Sequence, residues 1–279
     1  MGQSHRRRSN LPPAFFIFAL AALPLFISPR ALRAQQPSLR VAAAADLQPV
    51  LPPILEAFKK ATGIQVEATY QASAALTAQI QNGAPFDLFL SADLSYPKRL
   101  IEAGVADTAG VIGPSGFSDS STPITYARGT LVLWTRKDSH WPTPSLATLR
   151  DQSLRRLAIA NPERAPYGRA AVAAIATLKL TDSLKPKLVT AENISQAAQF
   201  AETGNADAGL ISLTSAMTQH LQSIGSYFVI PAGLYPPIEQ GAVIVTNTKQ
   251  REACHKFLDF LLSPAIQQQL GKSGLTPVK

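Results

Sequence analysis

Four residues recur at one kind of place: Asp46, Ser73, Tyr167 and Asn193 each stand between a short apolar run and a helical pattern. In an open α/β sheet, helix starts of this kind gather at the carboxyl edge of the strands, where ligands bind. Each start offers backbone N–H groups without intrahelical partners and about half a positive charge. Several of them facing one cleft make a receptor for a small anion that needs no Lys or Arg. A charge-assisted hydrogen bond contributes about 1.5–3 kcal/mol, so about five to seven support sub-micromolar binding after association costs. Taken singly, each residue is also an ordinary helix cap worth about 1 kcal/mol; the recurrence carries the anion reading.

Catalytic patterns are weak. There is no G-x-S-x-G elbow, no G-x-x-x-x-G-K-[ST] loop and no G-x-G-x-x-G after a strand. Asp87 and Asp93 stand six apart around the end of the run FDLFL like paired carboxylates, but with Phe and Leu around them they read as holding loops through backbone hydrogen bonds. Cys254, the single cysteine, excludes an intramolecular disulfide and a cysteine-based metal cluster. It falls on the helix pattern REACHKFLDFLL, facing the core. The four histidines, at 5, 140, 220 and 255, never reach metal-ligand spacing. The expectation is a binding protein, not an enzyme, with no cofactor.

The elements that must position these residues alternate as an α/β fold does. Strand patterns cover Leu39–Ala45, Ile64–Tyr70, Phe86–Leu90, Leu131–Thr135, Leu157–Ala160, Leu188–Thr190, Ala208–Ile211, Tyr227–Ile230 and Ala242–Thr246. Helix patterns cover Glu56–Thr62 with Gly63 as stop, AALTAQIQN with Ser73 as N-cap and Gly83 as stop, and YPKRLIEAG. Further helices are Arg169–Leu180, ISQAAQFAETG behind Glu192-Asn193, Lys249–Leu262 and Pro264–Leu270. The Gly, Ser, Thr and Pro-rich loop Gly110–Thr130 predicts a crossover between lobes, with a second crossing near Val245–Asn247. Two crossings make a hinge.

The 279 residues carry a formal charge of +8, which invites a nucleic-acid reading. Residues 1–34, however, hold five Arg and no acid, leaving 21 basic against 18 acidic residues in the rest. That balance is an ordinary mixed surface and argues against nucleic acid. His5-Arg6-Arg7-Arg8, the apolar run Leu11–Ser28 and Ala31-Leu32-Arg33-Ala34 form the three parts of a secretory signal peptide cleaved after Ala34. No Cys follows for a lipid anchor, so a soluble periplasmic protein is expected.

The segments VAAAADL, FKKATGIQVEATYQASAALTAQIQNGAPFDLFLSAD (58–93), ANPERAPYG (160–168) and AENISQAAQFAETGNADAGLIS (191–212) resemble the substrate-binding proteins of molybdate ABC importers. The similarity runs in order over nearly all of the chain after the leader. It implies a type II periplasmic binding protein with two α/β lobes, each a mixed sheet flanked by helices, joined by two crossover hinge strands. Lobe I would be 35–127 with 246–279, and lobe II 128–245. The implied ligand is molybdate or tungstate, so molybdenum would be met only as its oxyanion. The implied partner is a permease and ATPase complex in the inner membrane, and the chain would act as a monomer. Carried over, the oxyanion contacts fall on Ala45 and Asp46, Ser73, Tyr167 and the N–H of Ile194, with Asn193 beside it. Where some members add a second-lobe tyrosine, this chain has Ser212.

Asp46 departs from the Ser, Thr or Asn common in that family. A carboxylate facing a dianion in a dry cleft is strongly unfavourable. It either turns away to cap its own helix, which the N-cap preference of Asp favours, or stays protonated and donates. Molybdate, tungstate and sulfate only accept hydrogen bonds, whereas phosphate keeps a proton; a pocket of donors disfavours phosphate unless Asp46 points inward. The alternative is a receptor of the same fold for another anion such as sulfate, phosphate or a carboxylate.

Overall fold

The computed structural model describes residues 1–3, 38–113, 116–117 and 120–278. All of the expected signal peptide beyond its first three residues lies outside them. The described residues from 38 onward belong to one compact unit.

Two main sheets organise that unit. The first has seven strands, in the order Thr276–Pro277, Ile124–Gly129, Ile238–Val245, Leu88–Ser91, Leu39–Ala44 and Val66–Gln71, with Ala106–Asp107 also paired to Ile238–Val245. Leu39–Ala44 runs parallel to both of its neighbours, whereas Ile238–Val245 is antiparallel to all of its partners. The second sheet has five strands, in the order Leu188–Ala191, Leu157–Ala160, Ala208–Ser212, Leu131–Arg136 and Gly225–Val229. Its first three strands are parallel, and Leu131–Arg136 is antiparallel to both of its neighbours.

The sequence of Leu39–Ala44 explains why it is an interior strand of the first sheet. Its apolar residues are buried on both faces, as parallel strands between helix layers require. Val41 and Ala43 join Ile54, Phe58 and Phe257 in one core, while Ala42 faces Leu76, Phe89 and Leu100 in another. The helix Leu51–Thr62 ends at Gly63, whose φ of 76° is the left-handed C-cap that glycine adopts without steric penalty. In the second sheet the helices Pro166–Thr177 and Ile194–Glu202 pack their Ala-rich faces on the strands. Gly168 is required there: a Cβ would sit 2.3 Å from the carbonyl oxygen of Ala160.

The sheet membership moves both expected lobe boundaries. Ile238–Val245 belongs wholly to the first sheet, so the return crossing lies between Val229 and Ile238, not at 245–246. The outward crossing is Thr130 alone, between Gly129 and Leu131. The expected loop 110–130 contains the strand Ile124–Gly129, whose polar residues alternate with buried Ile124 and Tyr126. Short helices at Thr181–Leu184, Leu213–Ala216 and Gln219–Ile224 are too brief to leave a periodic signal.

Candidate functional site

The carboxyl ends of the parallel strands in both sheets converge on one small cavity. Its empty space is about 200 Å³, including the part open to solvent. From the first sheet it is lined by Ala44, Ala45, Asp46, Gln71, Ala72, Ser73 and Ala92; from the second, by Ala165, Pro166, Tyr167, Asn193 and Ile194. Of the expected contacts, Ala45, Asp46, Ser73, Tyr167, Asn193 and Ile194 therefore come together. No Lys or Arg is among these described lining residues.

Three helices begin at this cavity. Ile194–Glu202 is capped by Asn193, whose Oδ1 accepts from the Gln196 N–H at 3.0 Å. Pro166–Thr177 starts with proline at its first position, where a missing N–H removes no helical bond, and Tyr167 follows it. Ser73 is the first residue of Ser73–Gln81 and not its cap, as the sequence suggested; Ala72 holds the cap position without a side-chain bond. The Ser73 oxygen instead accepts from the Ala92 N–H at 3.1 Å. With its lone pair engaged and its position fixed, the hydroxyl proton can be directed at a ligand.

Asp46 does not cap its helix. Ala45–Leu47 is a single 3₁₀ turn with no side-chain cap, too short to reward one. The carboxyl is fully buried; its Oδ2 accepts from the Tyr167 hydroxyl at 3.1 Å and from Gln240 Nε2, while Oδ1 has no partner among the described residues. Burial pushes its pKa up to about 6, against the opposing pull of the Gln240 and Tyr167 donors. Burial and the neighbouring carboxylate push the Tyr167 phenol well above its ordinary range, so it remains a donor at neutral pH.

Ser212 lies off the cavity lining. Its oxygen caps the short helix Leu213–Ala216, accepting from the Ser215 N–H, and lies 2.9 Å from the Thr214 hydroxyl oxygen. Gln240, Thr214 and Ser195 were not singled out in the sequence. Gln240 sits at a register shift between Ile238–Val245 and its neighbour, a bulge that re-aims side chains without a sequence signature. Thr214 donates to the Asp46 carbonyl at 2.8 Å, and Ser195 to the Ala45 carbonyl at 2.9 Å. Ser195 follows Ile194 in the first turn of a capped helix, and that position was legible.

Further bonds close the cleft around the cavity. The Ala74 N–H donates to the Arg164 carbonyl at 3.2 Å, and Arg169 reaches across to the Tyr96 hydroxyl at 3.1 Å and to the Asp93 carboxylate. The suspected carboxylate pair separates into two structural roles. Asp87 accepts from the Arg40 N–H and the Thr248 hydroxyl; Asp93 accepts from the Tyr96 N–H and pairs with Arg169. Cys254 is buried and its thiol is pushed up to about 12, chiefly by burial, which leaves it inert.

A family model described as a bacterial extracellular solute-binding protein matches residues 39–276. The molybdate-binding protein ModA of Azotobacter vinelandii is 38% identical over 88% of this chain and 92% of its own. The protein of that name from Rhodobacter capsulatus is 36% identical over 78% and 79%. The solved structure of the Azotobacter vinelandii periplasmic molybdate-binding protein superposes with a TM-score of 0.78 at 30% identity, covering 87% of this chain and all of that one. The sulfate-binding protein SubI of Mycobacterium tuberculosis, at 18% identity and a TM-score of 0.69 over 87% of each chain, shares the fold alone.

Proposed function

The chain belongs to the bacterial extracellular solute-binding protein family, and from that premise we propose that it captures molybdate between its two sheets for an ABC importer. The observation that carries this reading is a cavity walled by three helix starts and lined by Ser73 and Tyr167, with no cationic side chain in its described lining. Neutral dipoles fixed in a dry cleft stabilise a dianion without reorganising, because first-turn N–H groups such as those of Ser73, Tyr167 and Ile194 have no acceptor within their own helices. Relatives that bear the name molybdate-binding protein, at more than a third identity over most of the chain, support the same ligand. Tungstate, with the same shape and charge, enters the same donors.

The protein is exported by its leader, works as a monomer in the periplasm, and carries out no catalysis and needs no cofactor. Closure around the anion shifts the population to a clamped form that a permease and ATPase complex in the inner membrane accepts. No helix among the described residues is long and apolar enough to cross a membrane.

One observation favours a second reading. An ionised Asp46 in the cavity wall is an acceptor, which suits hydrogen phosphate better than a fully deprotonated oxyanion. Isothermal titration of the protein without its leader against molybdate, tungstate, sulfate and phosphate decides between them. Sub-micromolar molybdate binding with no phosphate or sulfate heat is expected; the reverse pattern overturns the molybdate reading.

A further inference from the structure

The wall of the cavity contains one feature that a receptor for a doubly charged anion should avoid. Asp46 is completely buried, lines the cavity, and has one carboxyl oxygen with two donors and the other with none. The groups around it are all neutral. Tyr167 comes from the helix Pro166–Thr177, Gln240 from the strand Ile238–Val245, and Thr214, on the backbone carbonyl, from Leu213–Ala216. Tyr126 and Tyr235 lie further out. Tyr126 donates to the Ser91 carbonyl, and the Tyr235 oxygen accepts from the Leu131 N–H. Among the described residues no Lys, Arg or His contributes to the field at this carboxyl.

A lone buried carboxylate and a dianion in contact would repel each other strongly, with no counter-ion to offset the repulsion. A proton removes the conflict. A neutral carboxyl keeps Oδ2 as acceptor for Tyr167 and Gln240, and it turns the unpartnered Oδ1 into an O–H donor for which a ligand oxygen is the natural acceptor. The Asp46 carboxyl is then a donor and no longer a charge.

We propose that Asp46 is the proton-binding, specificity-determining residue of the anion site, so that each dianion is taken into the cleft together with one proton on the Asp46 carboxyl. This rests on the molybdate reading and adds to it. The proton comes from solvent on binding and returns on release, so no redox step or further reactant is involved. The carboxyl of the empty protein, already raised to about 6 by burial, is mostly ionised at neutral pH and has a proton to gain. The sign follows from linkage: proton uptake on binding makes affinity fall as pH rises, by about tenfold per pH unit between the carboxyl pKa of the empty form and that of the complex. Hydrogen phosphate, which brings its own proton, would bind without this uptake.

The test is calorimetric titration with molybdate at about pH 7.5 in buffers of different ionisation enthalpy, whose slope counts protons. The wild-type protein should take up close to one proton per molybdate, with Kd weakening about tenfold from pH 7 to 8. Asp46→Asn and Asp46→Ser should bind with no uptake and a flat Kd. Infrared difference spectra of the wild-type protein should gain a neutral-carboxyl band on adding molybdate, a readout that needs no variant to fold. Molybdate binding with no proton uptake and no such band overturns this inference alone and leaves the molybdate reading standing. Unaltered uptake in Asp46→Asn overturns the assignment to Asp46. No molybdate heat at any pH overturns both.

Discussion

Ser73 and Asp46 line the same cavity and differ in what they can give a ligand. The Ser73 oxygen is fixed by the Ala92 N–H, so its proton is free to point at the anion. Ser73→Ala should weaken molybdate binding by about 1–3 kcal/mol. Because the buried Ala92 N–H loses its acceptor, the empty protein should also be destabilised by about 1–3 kcal/mol. Calorimetry and thermal melting read the two effects separately, and an unchanged Kd would remove the hydroxyl from the contact set. Asp46 predicts the opposite kind of effect, on the empty protein. Its folded pKa, about 6, lies above the unfolded value of 3.8, so the native state binds more protons between those limits. Stability from this group is therefore full below about pH 4 and is lost as pH rises through about 6. Asp46→Asn, which cannot ionise, should lack that loss and melt higher than wild type at pH 7.5 without ligand. Asp107 opposes this at the acid end: the Arg251 guanidinium holds its carboxyl below the usual range, so its contribution is present at neutral pH and lost in acid.

At the scale of the element, the helix Pro166–Thr177 shows how a site depends on close packing. Its third residue, Gly168, lies so near the strand Leu157–Ala160 that a methyl group would meet the Ala160 carbonyl oxygen and two backbone carbons, none of which can swing aside. Gly168→Ala should cost about 1–3 kcal/mol, read as a lower denaturant midpoint at constant slope. Molybdate affinity should also drop, because Tyr167 moves with the helix. Gly63→Ala, where the same methyl meets open space, should show only the left-handed strain of about 1–2 kcal/mol and leave affinity intact. Such elements were legible where one period dominates. Leu157–Ala160, the Asn193 cap and the helix behind it stand where the residues placed them. Ile124–Gly129 was hidden because polar residues alternate with its buried ones inside a turn-rich stretch, and Ile238–Val245 began earlier than its apolar run because Glu239 and Gln240 read as loop. The site followed the same rule. Backbone positions at helix starts were recoverable from strand–cap–helix order, whereas the Gln240–Asp46 contact links residues 194 positions apart across a bulge and has no local signal.

At the scale of the whole molecule, two crossings, at Thr130 and between Val229 and Ile238, leave the sheets free to hinge, so bonds across the cleft set how long it stays shut. Arg169 makes two of them. Its guanidinium pairs with Asp93 and the Tyr96 hydroxyl on the other side, and lies 5.3 Å from the centre of the Tyr96 ring. An isolated surface pair contributes little to folding, about 0–1 kcal/mol, and both partners keep their own lobes' helices when separated. The same pair acts on closure with its full strength, since opening breaks it and unfolding is not required. Arg169→Ala should therefore leave the melting of the empty protein within about 1 kcal/mol of wild type while speeding molybdate release several-fold in stopped-flow displacement. The association rate should stay nearly constant, because the anion enters the open form. Raised salt should speed release from the wild type and much less from the variant, as the partly exposed pair is screened. Solution scattering should show a larger radius of gyration for the ligand-free variant. An unchanged release rate would mean that the Ser195, Thr214 and Tyr167 contacts inside the cleft, and not this outer pair, hold the two sheets together.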